Sequence, residues 1–597
     1  MPHYQPPLRD LQFVQQEMFD IEALYAGSDR WTEVNAELLS TVREECARFA
    51  SEVLVPLNIV GDREGCQQNG DVVTTPNGFK EAYTQFVEGG WPALESSEEF
   101  GGQGLPRVLS IAVSEMIGTA NWAWSMYPGL SHGACHTIDV HGSQEQRERF
   151  LPALVSGRWT GTMCLTEAHC GSDLGLLRTK AEPAEDGSYR ITGSKIFISS
   201  GEHDMAENIV HITLARLPDA PKGTEGISLF IVPKFIPTAD GQPGERNKVA
   251  VGSLEEKMGI HGNATCVMNF DGATGYLLGK PNRGLQCMFT FMNFARIGTA
   301  IQGLAHAEFG YQNSLAYARE RLQMRALSGA KVPDKEADPI ITHPDVRRML
   351  LTQRAFAEGG RMLIYYMARL LDEQTLGDEK TKAAIEEQLS FLTPIAKAFM
   401  TEVGFESANL GMQIFGGHGY IREWGMEQNV RDARIAMIYE GTTGIQSLDL
   451  LGRKVLSKQG KPLIDFAATI EAFCAENEGN ATMTAFVEPL RKVTQLWQGL
   501  TMEIGGRAMK NPDEINAACV DYLMYSGYTT FAYLWARAAA TALAAIAAGN
   551  DDLFYRNKLY LAQFYFKRLL PRTRALAATM NAGLDSVSAE TDPFAQY

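Results

Sequence analysis

The chain has no excess of basic residues: 54 Lys and Arg against 71 Asp and Glu leave a net charge of −17 over 597 residues. Nucleic acid needs a cationic surface, so that class of partner is set aside, although a local basic site for one small phosphorylated ligand stays open. The nine cysteines include no Cys-x-x-Cys pair. A scattered, odd-numbered set in a large acidic chain reads as reduced thiols in a cytosol-like compartment. The first ten residues, Met1 to Asp10, lack the apolar core of a secretory signal, and Asp10, Glu17 and Asp20 come too early for a mitochondrial transit peptide. The expected location is therefore cytoplasmic. The most apolar stretch, Tyr528 to Ala548, is interrupted by Arg537 and reads as a packed helix, because a charge in mid-span is costly. The glycine-rich run Glu98 to Pro106 has no Gly-Lys-Ser/Thr ending and follows no strand, so it is no phosphate loop. No Gly-x-Gly-x-x-Gly follows a strand either, which sets a Rossmann enzyme aside.

What is present changes period along the chain, and the length requires several domains. Asn35 to Val55 and Gln144 to Leu154 have helical spacing. From about 161 to 280 the period moves toward two. Tyr189 to Thr192 and Lys195 to Ser199 read as two strands of a hairpin turning at Gly193-Ser194, and Asn208 to Ala215 and Gly226 to Val232 as further strands. Helical spacing returns with Ile297, Ile301, Leu304, Tyr311, Leu315, Ala318 and Leu322 on one face, which Glu308 shares. Glu308 reads first as a paired carboxylate and only second as a functional one. Another helix is expected from about Pro394 to Phe415, and an Ala- and Leu-rich helical block after about 460. The order is α, β, α, then extra α.

Three segments could carry chemistry. Met163 to Asp173 leaves a strand for a loop of small residues and hydroxyls, able to present N–H groups, Thr166 and Ser172 to a polar planar ligand or a phosphate. It is equally an ordinary strand exit, and His169 has no second histidine at ligand spacing, so no metal is expected. Gly411 to Ile421 ends a helix in a glycine cluster that permits close approach or simply caps the helix. Arg431 to Ser447 places Glu440 between an apolar run and Gly-Thr-Thr-Gly. Partial desolvation there would raise its pKa and suit a general base, while a helix-end glutamate paired with an arginine is the plainer alternative.

In this order and spacing the segments resemble the acyl-CoA dehydrogenase family over roughly residues 80 to 455. The motifs that carry the resemblance are Thr166-Glu-x-x-x-Gly-Ser-Asp173, Gly193-x-Lys-x-x-Ile-Ser199, Glu320-Arg321, Gln413-x-x-Gly-Gly417 and Tyr439-Glu-Gly-Thr442. The run Tyr4 to Phe13 and the extra C-terminal block are most similar to the bacterial 3-methylmercaptopropionyl-CoA dehydrogenase branch. The resemblance implies an α+β multidomain fold: an N-terminal extension (1–35), a helical domain (36–160), a middle β-barrel or sandwich domain (161–280), a C-terminal four-helix bundle (281–458) and an additional helical domain (459–597). It implies FAD bound among these domains, and a homodimer or dimer of dimers in which one subunit completes its neighbour's FAD site.

By position, the resemblance places Thr166, Phe197 and Ser199 at the flavin ring, lined by Met163 to Leu165, with Gly171 in the same loop. Arg321, Gln323, Gln413, Gly416 and Gly417 would meet a neighbouring subunit's FAD, and Thr442 and Gly444 would also touch FAD. Ser172, Asn293 and Arg296 would lie along CoA, and Gly441 would border the thioester. Phe197 stands where many relatives have Trp, His169-Cys170 where Gly-Ala is usual, and Met324 where Phe is common. In some branches the base precedes the helix arginine; here that position is Ala295, which leaves Glu440.

The implied reaction is α-proton abstraction by Glu440, with the thioester polarised by the glutamate N–H and a ribityl hydroxyl, and β-hydride transfer to the flavin, giving a trans-2-enoyl-CoA. An electron-transfer flavoprotein would be the acceptor. The expected substrate is 3-methylthiopropionyl-CoA or a short-to-medium acyl-CoA, and the pathways concerned are β-oxidation and dimethylsulfoniopropionate degradation. A long-chain enzyme, an acyl-CoA oxidase and a non-catalytic flavin-binding assembly protein are the alternatives. Arg556, Lys558, Lys567, Arg568, Arg572 and Arg574 could mark a membrane-facing block, but a solvated helix face is the expectation.

Overall fold

The computed structural model describes residues 2–588. The chain forms two compact units. One is built from Glu33–Gly298 with the short segment His3–Pro6, the other from Pro7–Thr32 and the residues from Thr299 on.

The first unit begins with helices α1 (Ala36–Phe49), α2 (Arg107–Ala120), α3 (Trp122–His141) and α4 (Gln144–Val155). Local chemistry starts them where they start. Asn35 accepts from the Leu38 N–H at 3.0 Å, and Asn121 from that of Trp124 at 3.1 Å. Ser143 and Gln146 form a reciprocal capping box. The strands follow: β1 (Trp159–Cys164), β2 (Lys180–Pro183), β3 (Tyr189–Ser199), β4 (Asn208–Arg216), β5 (Ile227–Pro233), β6 (Val249–Leu254) and β7 (Thr265–Leu278). Pairing runs β6-β7-β3-β2-β4-β1, and β5 joins β7 to β4, so five strands close into a small barrel. Both faces of β4 and β5 are buried, which is why they read as continuous apolar runs. One apolar core lies on the α3–α4 side of the barrel and another inside it.

The expected hairpin at Gly193-Ser194 is not there: β3 runs unbroken through both residues, with Gly193 opposite Phe270 of β7. The glycine marks a close approach, since a Cβ there would fall on Thr179.

Helix α5 (Gly284–Glu320) leads into the second unit, which continues with α6 (Pro344–Leu376), α7 (Glu379–Phe415), α8 (Met426–Arg434) and α9 (Thr443–Leu448). Then come α10 (Lys461–Glu476), α11 (Thr484–Ala508), α12 (Asp513–Ala547), α13 (Leu553–Phe564) and α14 (Thr573–Ala582). Two boundaries differ from the sequence reading. Leu322 lies beyond the end of α5, bridged to Pro339. Helix α7 begins at Glu379 rather than near Pro394, because Asp378 caps it by accepting from the Thr381 N–H at 2.8 Å, and the proline is carried inside the helix. The apolar helix α12 is a core element whose residues Tyr525 to Ala536 are all buried, and Arg537 donates to the Met18 carbonyl at 3.3 Å.

A buried charge cluster ties the N-terminal segment to this unit. Asp10 pairs with Arg361 at 2.6 Å and with Lys558, while Arg361 also holds Glu308 at 2.8 Å and Lys558 holds Glu358 at 2.5 Å. Burial pushes the Asp10 carboxyl up, but the two cations outweigh it and bring it down to about 2. Glu308 is thus a paired carboxylate, as its plainer reading held. The solvated face expected in the C-terminal block holds for Arg556, Lys567, Arg568 and Arg574. It fails for Lys558, which is buried, and holds only in part for Arg572, which is half-buried and paired with Glu406 at 2.8 Å.

Candidate active site

In the first unit, β1 delivers Met163 to Leu165 at the mouth of the loop, and Glu167 and Cys170 exchange backbone hydrogen bonds at 2.9 and 3.0 Å. The loop is anchored by a buried ion pair. Lys195, on the inward face of β3, donates to the Leu165 carbonyl and to Glu167, each at 2.9 Å. Glu167 also accepts from the N–H groups of Arg178 and Thr179 and from the Thr179 hydroxyl. Burial raises the Glu167 pKa, but Lys195 and these donors outweigh it and hold the carboxyl at about 2. The donor atoms of Glu167, His169 and Cys170 lie within 4.8 Å of one another. That grouping is not an open ligand set, because the Glu167 oxygens are already filled.

Next to this loop, β3 carries a bulge. Its register against β7 slips between Cys266 and Met268, and Phe197 takes a left-handed φ of 59°. A bulge re-aims a side chain, and here it leaves Phe197 58% exposed. The N–H of Ile196 donates to the Thr166 carbonyl at 2.9 Å, so Thr166 and Phe197 are held together. Ser199 sits two residues on, while Gly171 and Ser172 are exposed at the loop tip. On α5, Arg296 is buried with its guanidinium 3.4 Å from the Asn293 amide oxygen, and Asn293 is exposed.

In the second unit the predicted residues fall into two groups. Arg321, Gln323, Gln413, Gly416 and Gly417 are all exposed at one end. The ends of α5 and α7 meet there, where Tyr317 stacks on Phe415 with ring centroids 4.1 Å apart and its hydroxyl lies 2.9 Å from a His418 ring nitrogen. Asp338 shapes the loop after Arg321, accepting from the N–H groups of Ala326, Val332 and Lys331 and from Arg325; these bonds hold its carboxyl at about 2.

The other group surrounds Glu440, which is half-buried and has a left-handed φ of 40°. Gly441 follows at φ 86°, where a Cβ would fall on the Gln446 amide. Gln446 is fully buried, and its amide nitrogen and oxygen have no partner among the described residues. Thr442 caps α9 by accepting from the Ile445 N–H at 3.2 Å, and Gly444 is exposed. Three side chains fix the bend: the Tyr439 hydroxyl donates to Gln302, the Thr443 hydroxyl donates to Glu402 at 2.7 Å, and the Lys397 ammonium lies beneath it.

Gln302, Glu402 and Lys397 were not singled out from sequence, and Glu167 and Lys195 entered only as motif positions without a role. The available signal was weak: Lys397 is a lone cation in the run Phe391 to Met400, and Lys195 one in an alternating strand.

Four domain profiles match the chain in order. The acyl-CoA dehydrogenase N-terminal domain covers residues 37–158, the middle domain 162–273, the C-terminal domain 282–456, and an acetyl-CoA dehydrogenase C-terminal-like domain 466–590. The chain is 41% identical to 3-methylmercaptopropionyl-CoA dehydrogenase of Ruegeria pomeroyi over 95% of its own length and 96% of that protein's. It is 33% identical to a broad-specificity linear acyl-CoA dehydrogenase of Mycobacterium tuberculosis, covering 97% and 98%. Its fold matches an acyl-CoA dehydrogenase of Bacillus anthracis, solved in complex with FAD, at a TM-score of 0.74 and 22% identity over 92% and 89% of the two chains. The chain therefore belongs to the acyl-CoA dehydrogenase family.

Proposed function

We propose that this acyl-CoA dehydrogenase uses FAD and Glu440 to convert 3-methylthiopropionyl-CoA, or a short-to-medium acyl-CoA, to the trans-2-enoyl thioester. The observation that carries the reading is the bend at Glu440: a carboxylate in a left-handed conformation, half-buried, and fixed by side chains from two long helices. Residues held in sparsely populated backbone regions cluster at reacting sites because the surroundings over-determine them.

The residues fit a flavin. Phe197 offers an exposed aromatic face beside the Thr166 loop. The chemistry that FAD supplies when bound is acceptance of a hydride from the β-carbon. Thr166, Phe197 and Ser199 orient its ring system, with Met163, Leu165, Gly171, Thr442 and Gly444 against it. Ser172, Asn293 and Arg296 hold CoA, and Gly441 borders the thioester. Glu440 takes the α-proton onto its carboxylate.

The group Arg321, Gln323, Gln413, Gly416 and Gly417 lies about 27 Å along α7 from Lys397, at about 1.5 Å per residue. The group thus stands half the length of α7 away from the bend at Glu440, and that separation supports the reading that it completes a site in a second copy of the chain. A homodimer or dimer of dimers in the cytoplasm, passing electrons to an electron-transfer flavoprotein, completes the proposal.

The substrate is tested by kcat/KM on a panel from propionyl-CoA to palmitoyl-CoA that includes 3-methylthiopropionyl-CoA, with a flavoprotein-type acceptor. The similarity to the Ruegeria pomeroyi protein motivates the expectation that the thioether substrate or a short-to-medium chain leads. Sulfur is close to a methylene in size and polarity, so neighbouring chain lengths should differ by only about 1–3 kcal/mol. A steady rise out to palmitoyl-CoA would make it a long-chain enzyme, and rapid reoxidation of the reduced protein by air would make it an oxidase.

A further inference from the structure

We propose that Lys397 is a positioning residue for the proton-abstraction step: its buried ammonium holds the backbone on both sides of Glu440 and so sets where the carboxylate stands. The inference rests on the reading of Glu440 as the base.

Lys397 lies in the middle of α7 and is fully buried. Its ammonium donates to the carbonyls of Ala436 at 2.8 Å, Tyr439 at 3.3 Å and Gly441 at 2.6 Å. These carbonyls belong to the short turn ending at Met437, to the residue before Glu440 and to the residue after it. An ammonium has three protons, and here three carbonyls from one six-residue segment converge on it. Glu440 sits inside that clamp with its left-handed φ of 40°.

A lysine is a costly way to fill this position. Burying an ammonium carries a desolvation penalty that an apolar side chain of similar length would avoid. The penalty is offset only by what the cation holds, and what it holds is the bend at Glu440. A separate anchor secures each flank: Tyr439 to Gln302 on α5, and Thr443 to Glu402, one helical turn and a half along α7 from Lys397. Lys397 is the anchor that touches both neighbours of Glu440.

The arrangement assigns Lys397 an effect on rate distinct from ligand binding. Without the ammonium, the Tyr439 and Gly441 carbonyls turn away to find other donors, and the Glu440 Cα moves with them. Displacement of a reacting group by about an ångström costs on the order of 10²-fold in rate, while contacts to cofactor and CoA made elsewhere are untouched.

The test compares holoenzyme forms of the wild type, Lys397→Met, Lys397→Gln and Glu440→Gln by anaerobic stopped-flow reduction with acyl-CoA. It uses both α-protonated and α-deuterated substrate, together with FAD content and the affinity for enoyl-CoA product. For Lys397→Met we expect full FAD content, unchanged product affinity, flavin reduction slowed about tenfold to 10²-fold, and a larger α-deuterium isotope effect. Lys397→Gln keeps a neutral donor and should recover part of the rate. Three results would overturn the proposal: wild-type reduction kinetics in Lys397→Met; loss of FAD and product affinity in parallel with the rate, which marks a general packing role; or failure of both Lys397 variants to form holoenzyme, which assigns the lysine to the fold alone. Glu440→Gln separates the two levels. If that variant still reduces its flavin at the wild-type rate, the base assignment itself fails. If it is inactive while Lys397→Met is unchanged, only the role of Lys397 fails.

Discussion

Glu440→Gln is expected to fold, to carry FAD and to bind acyl-CoA, and to lose about 10²–10⁴-fold in turnover. The amide is nearly isosteric with the carboxylate, so the bend that Lys397, Tyr439 and Thr443 maintain is retained. It cannot accept the α-proton, so the loss falls on the chemical step and appears in kcat and kcat/KM alike. Steady-state assays with a flavoprotein-type acceptor, alongside the visible spectrum of the variant, measure both halves. Near-normal turnover would place the base elsewhere. Glu308 would be a poor substitute, since it is buried against Arg361 at 2.8 Å and bonded to Gln312 at 2.8 Å.

The second large effect is expected at Glu167. Glu167→Gln removes the counter-charge of Lys195, which is fully buried. Burial already lowers the Lys195 pKa. Breaking a buried pair from one side typically costs about 3–5 kcal/mol, because the remaining charge is left without compensation. The wild-type protein should show the same interaction in its acid stability. The carboxyl falls from 4.5 to about 2 on folding, so its contribution is fully present above pH 4.5 and is lost as the pH drops toward 2. That shift corresponds to roughly 3 kcal/mol. Urea denaturation at neutral pH and along a descending pH series measures both. A change of less than about 1 kcal/mol for the variant at neutral pH would show that the Thr166 loop does not depend on this pair.

The parts of the molecule that were legible in the sequence have local causes. Asn35, and Ser143 with Gln146, each cap a helix with their own side chains, and β4 and β5 announce themselves as short apolar runs. Glu440 stood out because it separates an apolar run from a glycine-rich one, while Phe197 entered only through the family resemblance. What was misread depends on distant partners. Gly193 looks like a turn residue, and only the passage of Thr179 beside it shows why a side chain is excluded there. Pro394 looks like a helix start, but the cap at Asp378 lies sixteen residues upstream. Lys558 looks like part of a solvated cationic face until Asp10, from the opposite end of the chain, is brought against it. Lys195 and Lys397 were passed over for a related reason. Lys397 donates to backbone carbonyls, which leave no complementary charge in the sequence, and the counter-charge of Lys195, Glu167, lies 28 residues away on another segment.

The most direct test of the central claim, that the protein oxidises acyl-CoA thioesters through FAD with Glu440 as the base, is anaerobic mixing of the purified holoprotein with 3-methylthiopropionyl-CoA and with butyryl-CoA. The flavin absorbance is followed alongside the same experiment on Glu440→Gln. The account predicts rapid bleaching of the wild-type flavin with formation of a 2-enoyl-CoA, and a flavin that stays oxidised in the variant. A wild-type flavin that remains oxidised with every acyl-CoA offered, or a variant that bleaches as fast as the wild type, would contradict it.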